Sequence, residues 1–90
     1  MAYLTEMDRL RVEVVSLSAW LDERRYQPGN SKQVAVKSAY KDFVEFCKED
    51  GFKEIPPKNA FTQRLRDLKY TVKVPNGHLG TQMYYSKPNP

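Results

Sequence analysis

Cysteine and histidine are nearly missing from this sequence. The one cysteine, Cys47, has no partner for an internal disulfide, and with His78 as the one histidine there is no credible set of zinc ligands. No run approaches the roughly 18 consecutive apolar residues of a membrane span, and the start MAYLTEMDRL has neither a basic n-region nor an apolar h-region. An intracellular setting without a membrane partner is therefore expected. Four glycines and six prolines are too few for a low-complexity chain. A Gly-rich phosphate loop, an HExxH pair and a nucleophile elbow are all missing, so the chain is not expected to be an enzyme by itself, nor to carry a metal or other cofactor. Glu49, Asp50 and Glu54 cluster near a helix end, where a solvated acidic loop accounts for them. A metal-dependent nuclease would need carboxylates converging inside the basic region, where Asp67 stands alone.

What is present describes an ordinary folded domain, with 40% hydrophobic and 29% charged residues. Ninety residues can bury one modest core, so residues 1–90 are read as a single domain with residues 1–8 and 86–90 as flexible tails. The net charge of +4 is unevenly placed. Residues 1–30 hold four basic and five acidic side chains, and residues 31–56 hold five of each. After residue 56, Lys58, Arg64, Arg66, Lys69, Lys73 and Lys87 face only Asp67. Such an asymmetry is what a phosphate-binding surface requires, although a solvated basic face has the same composition.

Met7, Leu10, Val14, Leu17 and Leu21 recur at spacings of three and four, which predicts a first helix with Trp20 beside the stripe and a Thr5–Asp8 cap. The β-branched RVEVV is also compatible with a short strand leading into a helix near Ser16. Either way Trp20 and Leu21 belong in the core. Gln27-Pro28-Gly29-Asn30-Ser31 reads as the loop that ends this helix. Residues 32–49 form the clearest helix, with Val36, Tyr40, Phe43, Val44 and Cys47 on one stripe and Lys37, Lys41, Asp42, Glu45 and Lys48 opposite; Asp50-Gly51 stops it. Cys47 on that stripe is a packing residue. Pro56-Pro57 opens a third helix, proline being tolerated at the first helical position, with Phe61, Leu65 and Leu68 inward. From Tyr70 the period changes to two, Asn76-Gly77 is a strong hairpin signal, and a returning strand over residues 81–85 closes the hairpin.

Three helices and a two-stranded hairpin are the order of a winged helix-turn-helix, an α+β fold that is mostly helical. In that arrangement the third helix enters a DNA groove and the wing touches the backbone beside it. The expected nucleic-acid-binding residues are Lys58, Asn59, Thr62, Gln63, Arg66, Lys69, Lys73, Asn76 and His78. The cations would neutralise phosphates, while Asn59, Gln63 and Arg66 carry the paired donors and acceptors that read base edges. The partner is then DNA, duplex or forked. Each residue also has a plainer role: Arg64 folding over the core edge or pairing with an acid, His78 standing in solvent at a turn, and Tyr84 and Tyr85 splitting into one core and one surface residue, although either could stack on unpaired bases. Two other functions fit the same pattern. One is a protein-interaction module with Trp20, Tyr26 or Tyr84 as exposed anchors. The other is a regulator dimerising through the Met7, Leu10, Val14, Leu17, Leu21 seam.

The stretch AYKDFVEFCKEDGFKEIPPKNAFTQRLRDLKYTVK resembles the C-terminal winged-helix domain of primase–helicase replication proteins from phages, plasmids and large DNA viruses. The pattern is an aromatic-rich helix ending in Gly, a short loop, a helix with F-x-x-x-L and a basic hairpin. Tyr40, Phe43, Cys47, Gly51, Phe61, Leu65 and residues 70–73 occupy those positions, and WLDERRY (residues 20–26) is similar to the family's first helix. Pro56-Pro57 replaces the Ser-type cap of the pattern, and residues 1–15 have no counterpart. These are mostly core positions, so the resemblance bears on fold more than on function. It implies a module used for origin or template DNA contact beside an ATP-driven ring helicase domain, in the same or another chain.

Overall fold

The computed structural model describes residues 6–75 and 80–88, with side chains from Arg11 onward. Among them the heptad-like spacing does form a helix, α1 (Glu6–Arg24), and RVEVV is helical within it. Helix α1 takes in residues 6–8, which the sequence assigned to a tail; Thr5, the expected cap, lies outside the described residues. Strand β1 (Gln27–Ala35) follows, then α2 (Val36–Glu49), α3 (Lys58–Asp67), β2 (Thr71–Lys73) and β3 (Gln82–Ser86). The result is a small α+β domain of three helices and a three-stranded antiparallel sheet ordered β1-β3-β2.

Strand β1 corrects the sequence reading, which had a loop at residues 27–31 and helix from Lys32. Proline and glycine mark a loop only where the chain lacks a partner. Here the segment lies at a sheet edge, where the N–H that Pro28 lacks is not required by a second neighbour. The register shifts between Gln27, opposite Ser86, and Lys32, opposite Tyr85, so the four residues PGNS are absorbed as an irregularity at the strand edge. Gly29 is essential to this fit: a Cβ there would overlap the Ser86 side chain. Ser31 Oγ and Ser86 Oγ are 3.0 Å apart across the same junction. Helix α2 consequently starts at Val36, whose N–H donates to the Thr81 carbonyl at 3.0 Å. The hairpin is thus two strands of a three-stranded sheet. Its register pairs Lys73 with Gln82, and the Asn76-Gly77 turn signal lies outside the described residues.

Side chains from all three helices converge on Trp20, which has no exposed surface. Its ring lies 5.3 Å from Tyr26, 5.7 Å from Phe43 and 5.6 Å from Phe61, and Phe43 and Phe61 are 5.0 Å apart. Met83, Val72 and Val34 form one row across the sheet; Met83 and Val72 are buried in the core and Val34 packs against it. Trp20, Leu17 and Leu21 are therefore core residues, which removes Trp20 as an exposed protein-binding anchor and removes Leu17 and Leu21 from a dimer seam. Cys47 is also fully buried, and burial pushes its thiol up to about 11, so it packs and is not a nucleophile near neutral pH.

Asp42, which the sequence places on the charged outer face of α2, instead joins α2 to α1. Trp20 Nε1 donates to its Oδ2 at 2.8 Å, while Arg24 donates through Nε at 2.7 Å and Nη2 at 3.0 Å. Bonding to Arg24, and then to Trp20, holds the Asp42 carboxyl below the usual carboxylate range. The spacing of Trp20 and Arg24, four residues apart on α1, was the available signal for this contact.

All three helices end in the same way. Arg25, Gly51 and Lys69 have φ of 59°, 78° and 76°, and the next residue, always aromatic, returns its N–H to a carbonyl five residues back. Those bonds, Tyr26 to Leu21, Phe52 to Cys47 and Tyr70 to Leu65, are each 2.9 Å. This left-handed closure satisfies otherwise unpaired carbonyls and seats an apolar ring against the last turn. Arg25 and Lys69 adopt it despite the Cβ penalty that Gly51 avoids.

Candidate nucleic-acid interface

Helix α3 places Lys58, Asn59, Gln63 and Arg66 in solvent, with Thr62 half-buried among them. Pro57 stands before the first helical residue, at the N-cap with φ −69° and ψ 166°, one position earlier than the sequence suggests. It offers no side-chain cap, and the first turn of α3 has no acid. The same two statements hold for α2, whose N-cap is Ala35. Neither helix start therefore has a carboxylate of its own to offset its partial positive charge, although on α2 the Val36 N–H is already taken by the Thr81 carbonyl.

Those two helix starts flank one cleft. Val36 and Lys58, the first residues of α2 and α3, line it together with Asn59, Thr62, Arg66 and Thr81, around a volume of about 400 Å³. The structure thus brings together Lys58, Asn59, Thr62 and Arg66 of the expected set, and adds Val36 and Thr81, which the sequence did not single out. Thr81 sits next to β3, where the hairpin returns. Nothing in its residue type marks it; its position depends on a sheet register that only the folded chain reveals.

Two of these side chains are partly engaged within the protein. Thr62 Oγ1 donates to the Asn59 carbonyl at 3.0 Å, leaving its oxygen to accept. Arg66 Nη2 donates to the Val72 carbonyl at 3.2 Å, which uses one of five N–H bonds and ties the outward face of α3 to β2. Gln63 is exposed on α3 but does not line the cleft. Lys69 occupies the left-handed position after α3, and Lys73 lies on β2 with its ammonium 5.3 Å from the centre of the Tyr84 ring. Asn76 and His78 lie outside the described residues.

Arg64 takes the plainer of its two roles. Its side chain is 14% exposed, and Nη1 donates to Glu13 of α1 at 3.3 Å. Its Nε stands 2.9 Å from the Asp67 carboxylate with the N–H directed off that line, an ion contact and not an aligned hydrogen bond. This triad occupies the one acid of the basic region. The solvent face of α3 is then left with Lys58, Arg66 and Lys69. A second cleft, of about 330 Å³ between α1 and the α2–α3 loop, is lined by Glu13 and Glu54 with Val12, Ile55, Pro56 and Pro57, and its two carboxylates make it unsuited to phosphate.

Among the described residues no group of three or more His, Cys, Asp and Glu side chains could hold a metal ion, and no helix is long and apolar enough to cross a membrane. A family model described as Poxvirus D5 protein-like matches residues 10–87, from within α1 to beyond β3. That match supports a viral replication-related domain. No curated protein and no solved structure matches the chain.

Proposed function

We propose that this chain, which belongs to the Poxvirus D5 protein-like family, is a winged-helix module that binds DNA and carries out no reaction of its own. The cleft between two uncapped helix starts, lined by Lys58 and Arg66, is the observation that carries this reading. An anion placed there meets two cationic side chains and the positive ends of two helix dipoles. Helix α3 followed directly by the β2–β3 hairpin supports the winged-helix assignment, with β1 as a third strand bracing the hairpin from the far side of β3.

In this mode Lys58 and Lys69 bind phosphates, Asn59 and Gln63 read bases through their amides, and Arg66 serves either need while braced by Val72. Lys73, Asn76 and His78 belong to the hairpin side of the contact. Thr62 acts as an acceptor. The module would serve a replication protein by holding template DNA for a ring ATPase domain in the same or another chain.

Titration of a labelled duplex at two or more salt concentrations tests the reading. Each phosphate contact contributes about −0.9 to the slope of log affinity against log salt. Changing Lys58, Arg66 and Lys69 together to Ala should reduce the slope by roughly 2–3 and weaken binding strongly at low salt. An affinity indifferent to salt in the unaltered protein would sink the proposal.

A further inference from the structure

We infer that the solvent face of the sheet is a second, separate nucleic-acid surface, on which the Tyr84 ring stacks an unpaired base. The sheet is built without a single carboxylate. Strands β1, β2 and β3 contain only Lys32 and Lys73 as charged residues, and no acid follows Asp67 in the chain. Every one of the eleven acidic residues falls on a helix, at a helix end, or on the α2–α3 loop within reach of α1. The helices and their loops mix acids with bases while the strands carry only cations, so a polyanion can approach the sheet without meeting a carboxylate on it.

The register identifies which residues face out. Val34, Met83 and Val72 make the inward row, so the neighbouring row of Gln33, Tyr84 and Thr71 lies on the opposite face, Gln33 and Thr71 exposed and Tyr84 half-buried; Lys73 is exposed on that face, while Gln82 beside it is buried. Tyr84 lies on the central strand, so its ring has a strand on either side as support. Exposed Gln33 and Thr71 flank it with hydrogen-bonding groups, and the Lys73 ammonium is 5.3 Å from the ring centre. Tyr85, its neighbour, is turned the other way, 4.4 Å from the Tyr26 ring at the edge of the core. The ammonium lies over the ring, so a base that stacks on that face displaces it toward the adjacent phosphate; a supported aromatic ring with such a cation, polar neighbours and no acid can serve both contacts. A base inside a duplex offers no free face, so the ligand of this surface is a single strand, of DNA or RNA.

The inference takes its setting from the reading of the domain as a nucleic-acid binder and shares Lys73 with the hairpin side of that contact, but none of its residues lines the α3 cleft, and the Tyr84 stack and the cleft can fail separately. The experiment measures fluorescence anisotropy of the whole chain with a labelled oligothymidylate, an oligoribouridylate, an abasic oligonucleotide of equal length and a duplex. The unaltered protein should prefer the base-bearing strands to the abasic one. Tyr84→Leu should weaken single-strand binding about 5- to 150-fold, the span of one lost base–aromatic stack, while duplex affinity stays within twofold. Tyr84→Phe should retain single-strand binding, which separates stacking from misfolding, and the ratio of the two polymers assigns the sugar. Equal binding of abasic and base-bearing strands overturns the inference, as does equal loss of duplex and single-strand affinity in Tyr84→Leu. Loss of duplex binding alone in Lys58→Ala/Arg66→Ala, with single-strand binding intact, supports two surfaces.

Discussion

The α1–α2 side of the domain and the α3–sheet side use charge in opposite ways. Between α1 and α2, Asp42 is consumed by Arg24 and Trp20, and at the inner face of α3, Arg64 is consumed by Glu13 and Asp67. On the far side Lys58, Lys69 and Lys73 have no ion pair among the described residues, and Arg66 spends one N–H on a strand carbonyl. Internal pairing converts charge into architecture, whereas unpaired charge leaves attraction available to a ligand. Lys37, Lys41 and Lys48 on α2 are exposed and, among the described residues, unpaired as well, but they share that helix with Glu45 and Glu49, whereas the outer face of α3 has no acid left free of Arg64. Substitutions on one side should then alter stability and those on the other should alter binding.

The strongest test of that division is Trp20→Ala. It removes a ring in contact with Tyr26, Phe43 and Phe61 and should destabilise the domain by about 3–5 kcal/mol, read as a fall in the urea midpoint. Next is Glu13→Gln. It leaves the Arg64 guanidinium, 14% exposed, with only the partly solvated Asp67, at an expected cost of about 1–3 kcal/mol, with duplex affinity unchanged once the protein is folded. An altered salt slope in this variant would show that Arg64 also contacts DNA. On the other side, Lys69→Gly relieves a φ of 76° and should stabilise the fold by roughly 0.5–1 kcal/mol while reducing affinity through the lost cation. Stability and binding should move in opposite directions there, which no change confined to the α1–α2 side should produce.

Acidification gives the smallest expected effect. The folded carboxyl of Asp42 titrates below its ordinary value of 3.8, so its stabilising contribution is present above that pH and is lost as pH falls through the folded value. Asp42→Asn should flatten that part of the acid limb in a plot of urea midpoint against pH. The carboxylate is 39% exposed, so solvent screening keeps the change modest.

How legible this was in the sequence differs between elements for physical reasons. Helices announce themselves through local periodicity, and α1, α2 and α3 were readable from Leu17, Leu21, Phe43, Cys47, Phe61 and Leu65, all buried as expected. Strand β1 was hidden because its pairing partner lies some fifty residues away, and because Pro28 and Gly29 suit an irregular edge as well as a loop. The same long-range pairing hid Thr81 and Val36, which join the cleft through backbone geometry and not residue type. Lys58, Asn59, Thr62 and Arg66 were legible because a helix face is a local property. Asp42 was misplaced since Trp20 and Arg24, its partners, come from another helix.

The order β1-β3-β2 has a consequence for how the domain comes into being. Its middle strand is synthesised after both of its neighbours, so β1 and β2 must wait, each with an open edge, until residues 82–86 appear. A chain halted before Gln82 would own every helix and still lack the seam that joins its sheet. Truncation that removes residues 82–86 should therefore behave as an all-or-none event.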